Sequence, residues 1–478
     1  MILFKFTDML TELLDSWKTA KDRQRQGIAP DLLSEAEDAV RKLKPSGAGS
    51  KPGREKTARE AVSRETWFEF LNETGKPVYL RTLDPGQREL WAEVVFGILQ
   101  ETQYTLDDLM KQRVSEHPQQ VLFKDMSGTQ NVDWTYEQIY RHLREIAAVV
   151  CLSADEEPRV ALYSENCVEG ACVDLACLCS GLFISPFSTH FGAEILAPLF
   201  DKLSINIAVA DTPQRLAVLE KVNGMTAKRF RIFILNPGLK KATTVSFLQE
   251  ECKKISRSEI EKVLSSRPVK KTNTVATTMF TSGSTGLPKG VSFSIYNIVS
   301  KRFARAAALP EAGNETFLCY LPLFHTFGRY LELTGTIYWH GTYVFAGNNS
   351  AETLFALFPK INPSGFISIP LRWQELYEKC QEKISGIESA ELRANALEDV
   401  LGNRLKWGLS AAGYLDPAVF RFFNEQGVAL CSGFGMTEAT GGITMTPPFR
   451  YQDFKVGIPL PGVKTRLNDN RELEISGQ

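Results

Sequence analysis

Thr277-Thr278-Met279-Phe280-Thr281-Ser282-Gly283-Ser284-Thr285-Gly286-Leu287-Pro288-Lys289-Gly290 is the most informative stretch of the chain. Thr281, Ser282, Gly283, Ser284, Thr285 and Gly286 are consecutive hydroxyl or glycine residues. They offer backbone N–H donors and side-chain hydroxyls with almost no steric bulk, as a loop wrapped around phosphate oxygens requires. Lys289 supplies the matching positive charge. A Ser/Gly-rich surface turn is the plainer reading, but β-rich runs on both sides and a lysine three residues past the last loop glycine argue against it. Gly283-x-x-Gly286-x-x-Lys289 is not the Walker spacing. It lacks a Gly-Lys-Ser/Thr ending, and strand-like VSFS follows where a P-loop would open a helix.

Outward from this loop, short β-rich runs alternate with helices from about Tyr104 onward. VDWTYEQIYRHLREIAAVV reads as a short strand and then a helix starting near Thr135, with Ile139, Leu143, Ile146, Ala147 and Val150 at helical spacing. RVALYSEN is a strand ending in turn formers, GACVDLACLCSG an apolar helix ending in glycine, and LFISPF another strand. RIFILNP, TVATTMF, TYVFAG, GFISIP and VALCSGFG repeat the pattern. Strands that alternate with helices imply βαβ crossovers, so the fold class is α/β, with mainly parallel sheets and a smaller β-rich part.

The first hundred residues have a different texture. Leu10, Leu13, Leu14 and Trp17, then Leu32, Leu33, Ala36, Ala39, Val40 and Leu43, form two amphipathic helical stripes. A Gly/Pro/Ser-rich linker lies near 44–54, and WFEFL and LWAEVVFGIL restore apolar content between 65 and 100. We therefore expect a mainly helical extension over 1–100, without a chemical motif, and a large domain over 101–478.

At 478 residues the chain holds roughly three times the ~150 residues of a typical domain. With 43% hydrophobic and 23% charged residues it falls among ordinary folded proteins. Its 55 Lys and Arg balance 56 Asp and Glu, which excludes a global basic field for nucleic acid or an anionic membrane. The most apolar stretch, 171–187, is interrupted by Asp174 and Ser180, and MILFKFTDML does not read as a secretory signal. A cytoplasmic location is expected, with peripheral membrane contact open. Nine cysteines, with Cys167, Cys172, Cys177 and Cys179 in an apolar helical run that has no histidine partner, read as reduced core thiols.

FTSGSTGLPKG closely resembles the phosphate-binding signature of the adenylate-forming (AMP-binding) superfamily. LPLFHTF at 321–327, SAAG at 410–413, SGFGMTE at 432–438 and VGIPLPG at 456–462 resemble further motifs of that superfamily in the expected order. The likeness covers roughly 105–478. It implies the layered βαβ N-terminal domain of these enzymes, with ATP, Mg²⁺ and coenzyme A as substrates or cofactors. It further implies that Lys289 contacts the leaving phosphates, and that Glu438 holds Mg²⁺ with the Thr281 hydroxyl as a further oxygen ligand. Thr437 would bond the α-phosphate or the acyl carboxylate. Phe434, flanked by Gly433 and Gly435 and followed by Met436, could offer an aromatic face to adenine, while Ala411, Ala412 and Gly413 are small enough for close backbone approach.

Alone, His325 between Phe324 and Phe327 would read as a packed core histidine. The resemblance implies instead a residue lining the substrate entrance, positioning rather than acting as a base. No acidic residue lies between Leu321 and Tyr330 to hold an amine. LPLFHTFGRYLEL and INPSGFISIPLRW are similar to long-chain acyl-CoA synthetases, which favours a fatty acid substrate. Rival expectations are an aryl- or amino-acid-activating enzyme, a ligase loading a carrier protein, and a nucleotide- or acyl-binding module without turnover. The last is motivated by the family pattern, which continues past RLNDNRELEISGQ into a ribose-binding aspartate, a hinge and a small mobile domain with a catalytic lysine. The chain is thus expected to be a fragment or a truncated form. Arg471 stands where the family usually has glycine.

Overall fold

The computed structural model describes residues 64–128, 131–235, 246–281, 288–309 and 313–477. The two amphipathic stripes before residue 44 and the linker near 44–54 lie outside these residues. So do Ser282, Gly283, Ser284, Thr285 and Gly286. The chain divides into two compact units: one comprises the described residues of 1–104, 303–311 and 461–478, the other those of 105–302 and 312–460.

The larger unit alternates strands and helices, as the sequence pattern requires. Its strands are β1 (Val121–Asp125), β2 (Val132–Thr135), β3 (Arg159–Tyr163), β4 (Phe183–Pro186), β5 (Ile207–Ala210) and β6 (Arg231–Ile234). Next come β7 (Ser246–Phe247), β8 (Val275–Thr281), β9 (Lys289–Ser294), β10 (Thr316–Cys319), β11 (Thr342–Phe345) and β12 (Gly365–Ser368). The last are β13 (Trp407–Ser410), β14 (Ala429–Met436), β15 (Gly441–Met445) and β16 (Ile458–Pro459). Among the described residues they form two sheets. One runs β7-β6-β5-β3-β4-β8-β9 and the other β16-β15-β14-β13-β12-β10-β11-β1-β2.

The central pairs of both sheets are parallel, and antiparallel pairs sit at the edges: β8 with β9, β1 with β2, β14 with β15, and β15 with β16. Burial explains the run-like sequences of the central strands. Every residue of β4, β5, β12 and β13 is buried, so these strands need apolar or small side chains on both faces rather than alternation.

Local signals set the helix boundaries. Thr135 and Gln138 form a capping box at the start of the Tyr136–Leu152 helix, with Gln138 N–H donating to Thr135 Oγ1 at 3.2 Å and Thr135 N–H to Gln138 Oε1 at 2.8 Å. The Val168–Cys179 helix opens with Gly170 N–H on Cys167 Sγ at 3.3 Å. Cys172 and Cys177 are buried on it, and burial pushes their thiols well above the ordinary range. Phe358, Phe366, Trp373 and Phe423 pack edge-to-face in the core of the larger sheet. Phe187, Phe200 and Phe230 form the core of the smaller sheet with the side chains of β5 and β6.

In the smaller unit the apolar runs at 65–100 form the Arg64–Thr74, Pro77–Leu80 and Pro85–Glu101 helices, the last capped by Asp84 and Gln87. Strands β17 (Lys464–Leu467) and β18 (Leu473–Ser476) pair antiparallel in this unit. Gly462 N–H donates to Glu89 Oε1 at 3.0 Å, and Trp91 packs on Phe303. No helix among the described residues is long and apolar enough to cross a membrane.

Candidate functional site

The phosphate-loop candidates are anchored at both ends by one antiparallel arm. Thr281, the last residue of β8, lies directly opposite Lys289, the first of β9, and Thr281 Oγ1 donates to the Lys289 carbonyl at 3.4 Å. Lys289 is exposed and Thr281 half-buried. The preceding hydroxyls are spent on the fold. Thr277 Oγ1 donates to the Ile184 carbonyl, Thr278 Oγ1 bonds Ser292 Oγ at 2.9 Å, and Ser185 Oγ donates to the Thr278 carbonyl at 2.7 Å.

The other candidates gather at the carboxyl ends of neighbouring parallel strands in the larger sheet, the edge where α/β folds hold ligands. Ser410 ends β13 opposite Ser432 of β14. Ala411, Ala412 and Gly413 turn away from β13, with Ala412 at φ +68°. A Cβ on Gly433 would lie 3.7 Å from that of Ala411, so the two segments assigned to adenine face each other. Phe434 is 39% exposed, a large aromatic surface left open beside this small-residue turn.

A bulge between Phe434 and Gly435 interrupts the pairing of β14 with β15. Gly435 is required there, because a Cβ would meet the Gly441 carbonyl oxygen at 2.1 Å. Met436 ends the strand 41% exposed, and Thr437–Ala439 form one 3₁₀ turn that leaves Glu438 exposed and Thr437 half-buried. The two sheets meet here through the Ile295–Ala308 helix that follows β9: its Lys301 Nζ donates to the Gly442 carbonyl at 3.2 Å. The phosphate-loop arm and the Glu438 hairpin are thereby tied together.

His325 lies in the turn that leaves β10. Its N–H donates to the Pro322 carbonyl at 3.0 Å and its ring lies 4.8 Å from that of Phe324. The residue is exposed, and partial desolvation with the neighbouring His190 pushes its imidazole below the ordinary value. A π-helical segment, Phe327–Leu333, follows. It buries Arg329, whose guanidinium binds Asp174 of the Val168–Cys179 helix and donates through Nη1 to Thr277 Oγ1 of β8 at 2.7 Å. Glu332 on the same segment is buried, and burial holds its carboxyl well above the usual range.

Sequence reading missed His190, Asn166, Asp174 and Arg329. His190 follows β4 and Asn166 follows β3, both at carboxyl strand ends. Turn formers after an apolar parallel strand were the available signal. Asp174 and Arg329 are 155 residues apart, and no local pattern pairs them.

Among the described residues no group of three or more His, Cys, Asp or Glu could hold a metal ion. The donors fit Mg²⁺ of the kind held by one carboxylate and substrate phosphates: Glu438 presents an exposed carboxylate, and Thr281 Oγ1 keeps its lone pairs while donating to Lys289.

The model of the AMP-binding enzyme family matches residues 110–478. Fatty acyl-CoA synthetase A of Dictyostelium discoideum is 25% identical over 366 residues, covering 68% of this chain and 53% of that protein. Long-chain-fatty-acid–CoA ligase 5 of Mus musculus is 23% identical over 362 residues, covering 67% and 52%. The chain thus spans about half the length of these relatives. The crystal structure of a benzoate CoA ligase from Burkholderia xenovorans LB400 matches with a TM-score of 0.64 at 15% identity, over 78% of this chain and 72% of that one, which shows the shared fold. With more than three quarters of its length matched by the family model, the chain belongs to the AMP-binding enzyme family.

Proposed function

We propose that this protein takes part in the ATP- and Mg²⁺-dependent activation of a fatty, long-chain carboxylic acid and its transfer to coenzyme A. A carboxylate oxygen attacks the α-phosphorus of ATP, the bond to the β-phosphate breaks, and acyl-AMP and pyrophosphate result. The coenzyme A thiolate then attacks the acyl carbon, and AMP leaves with its phosphate. The observation that carries this reading is the link between the Thr281–Lys289 arm and the Thr437–Glu438 hairpin through Lys301.

Each residue has a part in this reading. Lys289 and the loop from Thr281 to Gly286 hold the departing phosphates, Thr437 holds the α-phosphate or the acyl carboxylate, and Phe434 stacks on adenine beside Ala411, Ala412 and Gly413. Glu438 and Thr281 would hold Mg²⁺, which when bound would neutralise charge on the phosphates. His325 borders the acyl carboxylate and orients it. Positioning and charge provide the rate, and no enzyme nucleophile is needed. The absence of an acidic residue between Leu321 and Tyr330 and the names of the relatives favour a hydrophobic acid over an amino acid.

The test is acid-dependent pyrophosphate exchange over a panel of fatty, aryl and amino acids, followed by a thioester assay with coenzyme A. Exchange that is greatest with fatty acids is expected. Exchange confined to an aryl or amino acid would overturn the substrate assignment.

A further inference from the structure

Asn166 sits where the chain leaves β3 at the carboxyl end of the smaller sheet, and Leu321–Pro322–Leu323 is where it leaves β10 at the carboxyl end of the larger one. The Asn166 carboxamide joins the two. Its Nδ2 donates to the Leu321 carbonyl at 2.7 Å, and Leu323 N–H donates to its Oδ1 at 3.0 Å. Only one orientation of the amide satisfies both bonds, and together they copy the two-way pairing that a neighbouring strand would give. The proline between them explains the need. Pro322 has no N–H, so backbone pairing cannot hold the turn at its centre, while Leu321 and Leu323 are buried and their polar groups require partners.

The bonded residues bracket the carbonyl that carries His325: the Pro322 oxygen accepts the His325 N–H at 3.0 Å. From the other side the chain closes tightly, since a Cβ on Gly328 would lie 2.4 Å from the Leu321 oxygen. The turn is held from one side by backbone contact and from the other by the Asn166 side chain, which follows β3 of the opposite sheet.

We infer that Asn166 is a positioning residue for the acyl-carboxylate side of the site, acting through the Leu321–Leu323 turn on His325 and not by touching substrate. This rests on the reading that His325 borders the reacting carboxylate. Removing the carboxamide strips both backbone groups of their partner, and the His325 ring loses its fixed place.

The test uses the 478-residue chain with Asn166→Ala, Asn166→Asp, His325→Ala and the double Asn166→Ala/His325→Ala variant. In pyrophosphate exchange, Asn166→Ala should lower kcat/KM for the acid by about ten- to a hundred-fold, the scale of a small misplacement, while the KM for ATP moves less than about twofold. Asn166→Asp should regain activity as pH falls, because its neutral acid form can again donate to Leu321 and accept from Leu323, whereas Asn166→Ala should not. The double variant should be no worse than the more impaired single one. Additive losses, or an equal loss for ATP, overturn the proposal.

A second readout needs no turnover. The chain has five histidines, and the His325 signal can be assigned in ¹⁵N-histidine NMR by its absence from His325→Ala. In Asn166→Ala its titration midpoint should rise toward the ordinary value of about 6.5 while the other four stay in place. An unmoved midpoint overturns the role of Asn166 whether or not exchange occurs. A moved midpoint in a chain without exchange keeps that role and sinks the functional reading instead.

Discussion

Arg329 and Asp174 face each other in full burial, Nε on Oδ2 at 2.8 Å and Nη2 on Oδ1 at 2.5 Å, with side-chain exposures of 0% and 1%. The pair joins the π-helical segment behind β10 to the Val168–Cys179 helix, and the third arm of the guanidinium reaches Thr277 of β8. Desolvating two charges nearly cancels their attraction, but leaving one of them alone in the core does not. Asp174→Ala should therefore destabilise the protein by about 3–5 kcal/mol in urea unfolding, and an Asp174→Leu/Arg329→Met double variant should lose less than either single change. A single-variant loss below about 1 kcal/mol would contradict this.

Lys289→Ala should weaken ATP binding by about 1.5–3 kcal/mol, the worth of a charge-assisted contact, with a far smaller effect on AMP, which lacks the departing phosphates. Calorimetry with both nucleotides checks the difference. Equal losses would remove Lys289 from the phosphate site.

Glu438→Gln keeps the side-chain shape and removes the charge, so adenylation should need a higher Mg²⁺ concentration while saturating in the same way. Exchange assays across a Mg²⁺ titration decide it, and an unchanged midpoint would take Glu438 out of the metal's surroundings.

Gly435→Ala places a methyl group where the Gly441 carbonyl stands, so β14 and β15 must part at the bulge. Overpacking of this kind costs about 1–3 kcal/mol. Binding of a non-hydrolysable acyl-adenylate should fall in parallel, because Phe434 and Thr437 flank the disturbed bond. Wild-type affinity in this variant would mean that the hairpin does not hold the adenylate.

Both ring nitrogens of His142 face carboxylates, Nδ1 with Glu145 at 3.1 Å and Nε2 with Glu169 at 2.9 Å. Burial disfavours the charged ring, but the two carboxylates outweigh it and raise its pKa above the ordinary value. Because the folded value is raised, the stabilisation is complete below the unfolded value of about 6.5 and is lost as pH rises through the folded one. Unfolding free energies of His142→Gln and wild type should thus differ most in mild acid and converge as pH climbs. A gap that stays constant with pH would show a ring that does not titrate in this window.

Much of this architecture could be read from periodicity, and the reasons are local. The start of the Tyr136–Leu152 helix follows from Thr135 and Gln138, three residues apart, and the apolar runs of β4 and β12 read as strands, which the structure buries on both faces. The partition of strands into two sheets could not be read, because β1 pairs with β11 across more than two hundred residues. Among the candidate residues, Thr281, Lys289, Phe434 and Glu438 were visible because each belongs to a contiguous motif. Asn166 and Arg329 were not, since their partners lie on distant strands and only the folded chain defines them.

The π-helical segment Phe327–Leu333 holds one more residue per turn than the helix Thr334–Tyr338 that follows it. At 3.6 residues per turn, one extra residue rotates all that follows by roughly 100° relative to what precedes. The segment therefore works as a phase offset between two ends with unrelated demands. Thr334 to Tyr338 is buried throughout and tolerates little change, whereas His325, Thr326 and Phe327 border the open edge of the sheet. A one-residue deletion within the segment would realign the two ends and turn the Arg329 side of the helix away from Asp174. Substitutions before it leave the buried end in register, so the residues at 325–327, exposed or half-buried, can change without moving the packed turn of Thr334–Tyr338.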